Sequence, residues 1–276
     1  MSLHSIHPVL FLISSVAIAW PLSITINALL KRHVFAKKTP PDGSGWLSGT
    51  VASSQSSLFS FFSATLIALL CGQRGQIMMT SHKEASHLLS LSTLAHTENR
   101  HTQDIISDAI HQYSNHVINN EWSNMGNDHA NWQKGRLMIL NLRTTILNNE
   151  QGMKGSLHHA PSKFYDRVLD ITKDLLDSRI ERIQSAQSFI PQYIWLFLGV
   201  AALLVISTPG FYAIEKRSTH VFLMFALSTV VSTTLISLYY VKPRYSVHKA
   251  PGIMTPDAFF NLRTYLDKQS SKTDTP

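Results

Sequence analysis

Apolar residues in this chain gather into four blocks, at residues 8–30, 51–72, 189–207 and 220–241, with polar stretches between them. Each block is about 20 residues long, which is what an α-helix needs to cross a hydrocarbon core. The second block is densest over residues 58–70, and the first contains no Asp, Glu, Lys or Arg. Ala17-Ile18-Ala19 has the small-residue pattern of a cleavage site. However, no Lys or Arg precedes Pro8 and apolar residues run on to Leu30, so the block reads as a retained span, kinked at Pro21. Lys31, Arg32, Lys37 and Lys38 follow the first block, and Pro209-Gly210 and Glu215-Lys216-Arg217 separate the last two. Tyr193, Trp195, Tyr239 and Tyr240 lie at block ends, where amphipathic rings anchor helices among headgroups. Four spans put both termini and the polar stretch 73–188 on one side. Basic residues number six in the short loops (31–56 and 209–219) and seven on the opposite flanks, so this balance does not choose a cytoplasmic side. The first span, with basic residues only after it, favours loop 31–56 inside.

The stretch 73–188 has helical periodicity. It predicts helices over about 76–95, 102–125, 130–148 and 162–188. Ile106, Ile110, Tyr113 and Val117 form one apolar face of the second of these. Leu137, Leu140 and Ile146 mark the third, behind an Asn127-Asp128 cap, and Phe164, Val168, Ile171, Leu175 and Ile183 mark the fourth, behind Ser162. Gly152, Gly155 and Pro161 mark a loop. With no breaker before Ile190, the fourth helix is expected to run on into the third span. The fold expected is an all-α integral membrane protein: a first transmembrane helix pair (1–72), a soluble helical-bundle insert (73–188), a second pair (189–241) and a C-terminal tail (242–276), disordered after Ser270.

Composition sharpens this reading. Charged residues are 15% of the chain, against roughly 25% in soluble domains. The net charge of +7 suits a protein lying against anionic headgroups. No basic run interleaves with aromatics, so nucleic acid is not an expected partner. The single cysteine, Cys71, makes no intrachain disulfide.

Candidate chemistry is sparse. His101, Asp104, Asp108 and His111 share one helix face and include metal-ligating types, although a solvated face explains them as well. His158-His159 lies in the loop, and the histidines together admit a pH-sensing role. In the second block Ser53, Ser57, Ser60, Ala64 and Cys71 fall on one face, with Ser56 and Ser63 beside it; Leu58, Phe62, Thr65, Leu66 and Leu69 fall largely on the other. A small, weakly polar stripe lets helices approach closely or lines a narrow wet path. No ionisable residue lies well inside any span, which counts against a pump. No phosphate loop, paired-cysteine zinc motif, His-Glu-x-x-His helix or nucleophile elbow occurs, so neither an enzyme nor a cofactor is expected.

Several residues stand in a recognisable order: Glu84-Ala85, then Tyr113, Val117, Glu121 and Trp122, then Arg179 and Arg182, then Pro191 and Trp195. In this the chain, from about residue 51, resembles the bestrophin-like family of bacterial membrane proteins. That family tends to carry Asp-x-Pro-Phe after the last span, then Pro and Phe. Here the element reads Lys242-Pro243-Arg244-Tyr245, then Pro256 and Phe259, without the acid and with the first Phe replaced. The resemblance implies a likeness to bestrophins, which are pentameric anion channels lined by their second span. It therefore implies a homo-oligomer in the bacterial inner membrane, inorganic anions as cargo and a cytoplasmic insert. Ser53, Ser57, Ser60 and Ala64 would line the pore. The alternative is a membrane anchor whose insert senses a ligand or binds a partner.

Overall fold

The structure is a computed structural model that describes residues 44–97, 100–125, 132–153, 163–187, 190–211 and 217–273, with scattered positions between Ala17 and Arg32. All regular elements among them are helical: α1 (Ser44–Ala95), α2 (Arg100–His116), α3 (Gln133–Met153), α4 (Lys163–Ala186), α5 (Gln192–Ser207), α6 (Arg217–Val241) and α7 (Asp257–Thr273). The chain divides into two compact units. The first is Met1–Gly72, Phe189–Lys242 and Ala250–Gly252; the second is Gln73–Ser188, Pro243–Lys249 and Ile253–Pro276.

Among the described residues, two helical segments are long and apolar enough to cross a membrane, Ser53–Ala95 within α1 and Val221–Val241 within α6. Helix α5 is as apolar but has only 16 residues, about 24 Å of rise, before a 3₁₀ turn over Thr208–Phe211. Most of the first apolar block lies outside the described residues, as do Asn127-Asp128, His158-His159, Gly155, Pro161 and Ser162.

Three elements differ from the sequence-based expectation. The second span and the helix expected over 76–95 are one helix, α1, of 52 residues. Gly72 and Gly75 weaken it by about 1 kcal/mol each but leave its hydrogen-bond ladder intact. A single buried seam runs along it through Phe59, Ser63, Leu66, Leu70, Ile77, Ser81, Glu84, Leu88, Leu91 and Ala95. Steps of three, four and seven keep one face inward, so the packing register overrides the two glycines.

Second, α4 ends at Ala186 and does not continue into α5. Pro191 caps α5 with extended backbone, φ −60° and ψ 150°. A proline both lacks the amide donor and disfavours helix in the residue before it.

Third, residues 242–276, set apart as a tail by the sequence reading, hold a helix that runs to Thr273. Ala258, Phe259, Leu262 and Leu266 of α7 are buried in the second unit's core with Ile106, Ile110, Val117, Val168 and Leu175. That spacing is an amphipathic helix whose few apolar positions, set in a polar segment, do not stand out beside the four large blocks. Ahead of α7, Met254 N–H donates to the Arg244 carbonyl at 2.7 Å and Ser246 N–H to the Met254 carbonyl at 3.2 Å. The turn between needs the left-handed backbone of Gly252, φ 76°.

In the first unit, α5 and α6 pack on α1 through Leu66, Leu70, Leu198, Val205, Val231 and Leu238. Their outward sides stay apolar: Phe61, Leu196 and Phe222 are 66%, 71% and 71% exposed.

Candidate functional site

The second unit's core contains charge. Glu84 sits on the buried seam of α1 at 0% exposure, and Arg179 and Arg182 are three residues apart on one face of α4 at 3% and 0%. Glu121 arrives differently. Helix α2 passes at His116 into a π turn over Val117–Glu121, followed by a 3₁₀ turn over Trp122–Asn124. In a regular helix Glu121 would stand roughly 80° around from Tyr113. The wider turn takes that rotation back and aims both side chains at the same interior. The expected helix over 102–125 therefore ends as an α-helix at His116.

These residues close on one another. Arg182 Nε donates to Glu84 Oε2 at 2.6 Å, and its Nη2 donates to Glu84 Oε1 at 3.2 Å and to Glu121 Oε2 at 2.9 Å. Arg179 Nη2 donates to Glu121 Oε1 at 2.6 Å and to the Trp132 carbonyl at 2.7 Å. The Tyr113 hydroxyl donates to Glu84 Oε1 at 2.5 Å. The Arg182 guanidinium lies 5.7 Å from the ring centre of Phe259 on α7, and its Nη1 reaches Met125 Sδ at 3.2 Å. Trp122 Nε1 donates to the Met254 carbonyl at 2.8 Å, tying the same cluster to the segment before α7.

Two carboxylates face two guanidiniums, so the cluster balances, and every carboxylate oxygen accepts at least one hydrogen bond. Isolated charges so deeply buried would be prohibitively costly; paired and bonded they persist. Burial alone would raise the Glu121 carboxyl, but the charges and hydrogen bonds of Arg182 and Arg179 outweigh it and hold the group below its usual value. Burial likewise works against the charge on Arg182, and Glu84 more than restores it. Burial first, and the charge of Glu84 next, push the Tyr113 phenol well above its ordinary value, so it stays a donor. His116, whose Nε2 is 3.6 Å from Glu121 Oε1, is lowered by burial against the pull of that carboxylate.

Gly135, inside α3, completes the enclosure. A Cβ there would run into Glu121 Oε1 and come within 2.8 Å of Arg179 Nη2. Sequence reasoning missed Gly135, Met125, His116 and Trp132. A glycine inside a helix is the one signal of close approach that was available.

The other candidates lie apart from this cluster. Ser53, Ser57, Ser60, Ala64 and Cys71 are exposed on α1, whereas Ser63 is buried on its seam. His101, Asp104 and Asp108 are exposed and His111 is half-buried, with Asp108 accepting a bond from Gln112 Nε2 at 2.8 Å. No group of three or more metal-ligating side chains comes together among the described residues. Pro191 is exposed, and Trp195, half-buried, has Lys242 Nζ 5.5 Å from its ring centre.

Residues 16–242 match the family described as the Bestrophin-like domain. Neither a curated protein nor a solved structure matches the chain.

Proposed function

The chain belongs to the bestrophin-like family, and from that premise we propose that it is a multi-pass protein of the bacterial inner membrane that assembles as a homo-oligomeric anion channel, with α1 lining the pore. The observation that carries this reading is the exposed stripe of Ser53, Ser57, Ser60 and Ala64 on a helix long enough to cross a membrane. Within one chain α1 buries a different face, that of Phe59, Ser63, Leu66 and Leu70. Ser53 Oγ donates to the Thr50 carbonyl of its own helix at 2.9 Å, and the acceptor capacity left on such outward hydroxyls suits neighbouring copies or water, both of which a ring of copies supplies. The net charge of +7 favours anions near its mouths.

Purified protein in planar bilayers should pass an anion current that Ser57→Trp or Ser60→Trp blocks. Cys71, exposed on the same stripe, offers a reporter: a charged thiol reagent added from water should alter that current. Silent bilayers with a correctly folded oligomer overturn the channel reading. A second reading is a membrane-anchored sensing or partner-binding module. It is favoured by the position of eight of the ten family-pattern residues inside the second unit's core rather than on the stripe. A monomer with no central path supports it.

A further inference from the structure

Helices α5 and α6 form a hairpin, so the start of α5 and the end of α6 lie at one end of the first unit. Between Gln192 and Ser207, and again between Ser218 and Val241, there is no Asp, Glu, Lys or Arg. The first cation beyond this apolar run is Lys242. It is exposed, and it is held with Nζ 5.5 Å from the Trp195 ring centre on the first turn of α5. Tyr193, on the same turn, is 69% exposed, and Tyr239 and Tyr240 stack edge to face at 5.7 Å one turn before Lys242. Among the described residues no carboxylate pairs with Lys242. The nearby Lys249 differs in this respect, its Nζ lying 3.5 Å from Asp257 Oδ1.

We infer that the Trp195–Lys242 pair is a binding site for the phosphate of an anionic phospholipid headgroup. This rests on the reading of the first unit as membrane-embedded. The indole sits where aromatic rings settle, at headgroup depth. Its face holds one side of the ammonium, which fixes the long side chain at that level and leaves N–H donors directed away from the ring. A phosphodiester oxygen satisfies those donors. A zwitterionic headgroup brings its own cation up to the Lys242 ammonium, so the anionic lipid is preferred.

Full-length protein in detergent, mixed with phosphatidylglycerol or phosphatidylcholine, tests this by native mass spectrometry of retained lipid. Wild type should retain phosphatidylglycerol preferentially. Lys242→Gln, at an exposed position, should cut that retention about fivefold and leave phosphatidylcholine unchanged. Trp195→Leu should give a smaller cut in the same direction. Equal phosphatidylglycerol retention by wild type and Lys242→Gln overturns the site. Displacement of the lipid by millimolar inorganic phosphate makes it a free-phosphate site and also overturns the assignment. Washing membranes with alkaline carbonate separates the two failures: release of the protein defeats the membrane reading itself, whereas retention with no effect of Lys242→Gln defeats only the lipid site.

Discussion

In the first unit α1 turns Phe59, Ser63, Leu66 and Leu70 inward; beyond Gly72 the same seam carries Ser81, Glu84 and Leu88. One helix thus faces two kinds of interior. The first is apolar with small hydroxyls, and the Ser63 and Ser228 hydroxyls there have no hydrogen-bond partner among the described residues. The second holds Glu84, Glu121, Arg179 and Arg182 in a network that joins two helices, α1 and α4, and a π turn. Apolar packing tolerates exchange, because many side chains of similar volume fill the same space. A buried charge network does not, since removing one member strands the others. Disturbance should therefore be felt unequally in the two units.

The largest effect is expected from Arg182→Met. It leaves Glu84 and Glu121 without their shared cation and should cost the second unit about 3–5 kcal/mol in chemical denaturation of the detergent-solubilised protein. A loss below about 1 kcal/mol, the scale of an exposed pair, would falsify the network's dominance. Gly135→Ala comes next. Glu121 and Arg179 are pinned by their bonds and cannot step aside for the new methyl, so overpacking of about 1–3 kcal/mol is expected. Wild-type stability after this change would mean that the pair over α3 is looser than its distances imply.

Acid should loosen the second unit by two routes. The lowered pKa of His116 means that the unfolded chain takes up its proton first, so this contribution is present above about pH 6.5 and is lost as pH falls below it. Glu121, also lowered, contributes stability above its unfolded value near pH 4.5, which is lost on further acidification. Melting temperature followed from pH 8 to pH 4 should fall in that order, and His116→Gln should flatten the upper limb alone. If His116→Gln leaves that limb intact, another group controls it. The smallest effect is expected in the first unit. Ser63→Ala removes a buried hydroxyl with no partner, so stability should change by less than about 0.5 kcal/mol or rise slightly. A loss above about 1 kcal/mol would reveal a partner for that hydroxyl, such as a second copy.

Much of the cluster was legible as residue types in order. Glu84, Tyr113, Glu121, Trp122, Arg179 and Arg182 all belong to the pattern that carries the family resemblance, and Phe259 lies in the element after the last span. That they meet was not legible. Glu84 and Arg182 are 98 residues apart, and no local pattern states that a π turn will rotate Glu121 toward both. Helix α7 went unread because four apolar positions in a polar segment look like solvated chain until there is a core for them to cover.

The sequence by itself determined the helical class, the apolar blocks and the absence of charge within them. These are local properties, set by which side chains leave water and by the 3.6-residue period that lines them up. The tertiary structure alone decided that α1 runs unbroken through Gly72 and Gly75, and that four charges share one buried interior. Each of those outcomes depends on which distant surface a segment packs against. Burial changes the energy of an ion or a glycine by more than its intrinsic propensity does.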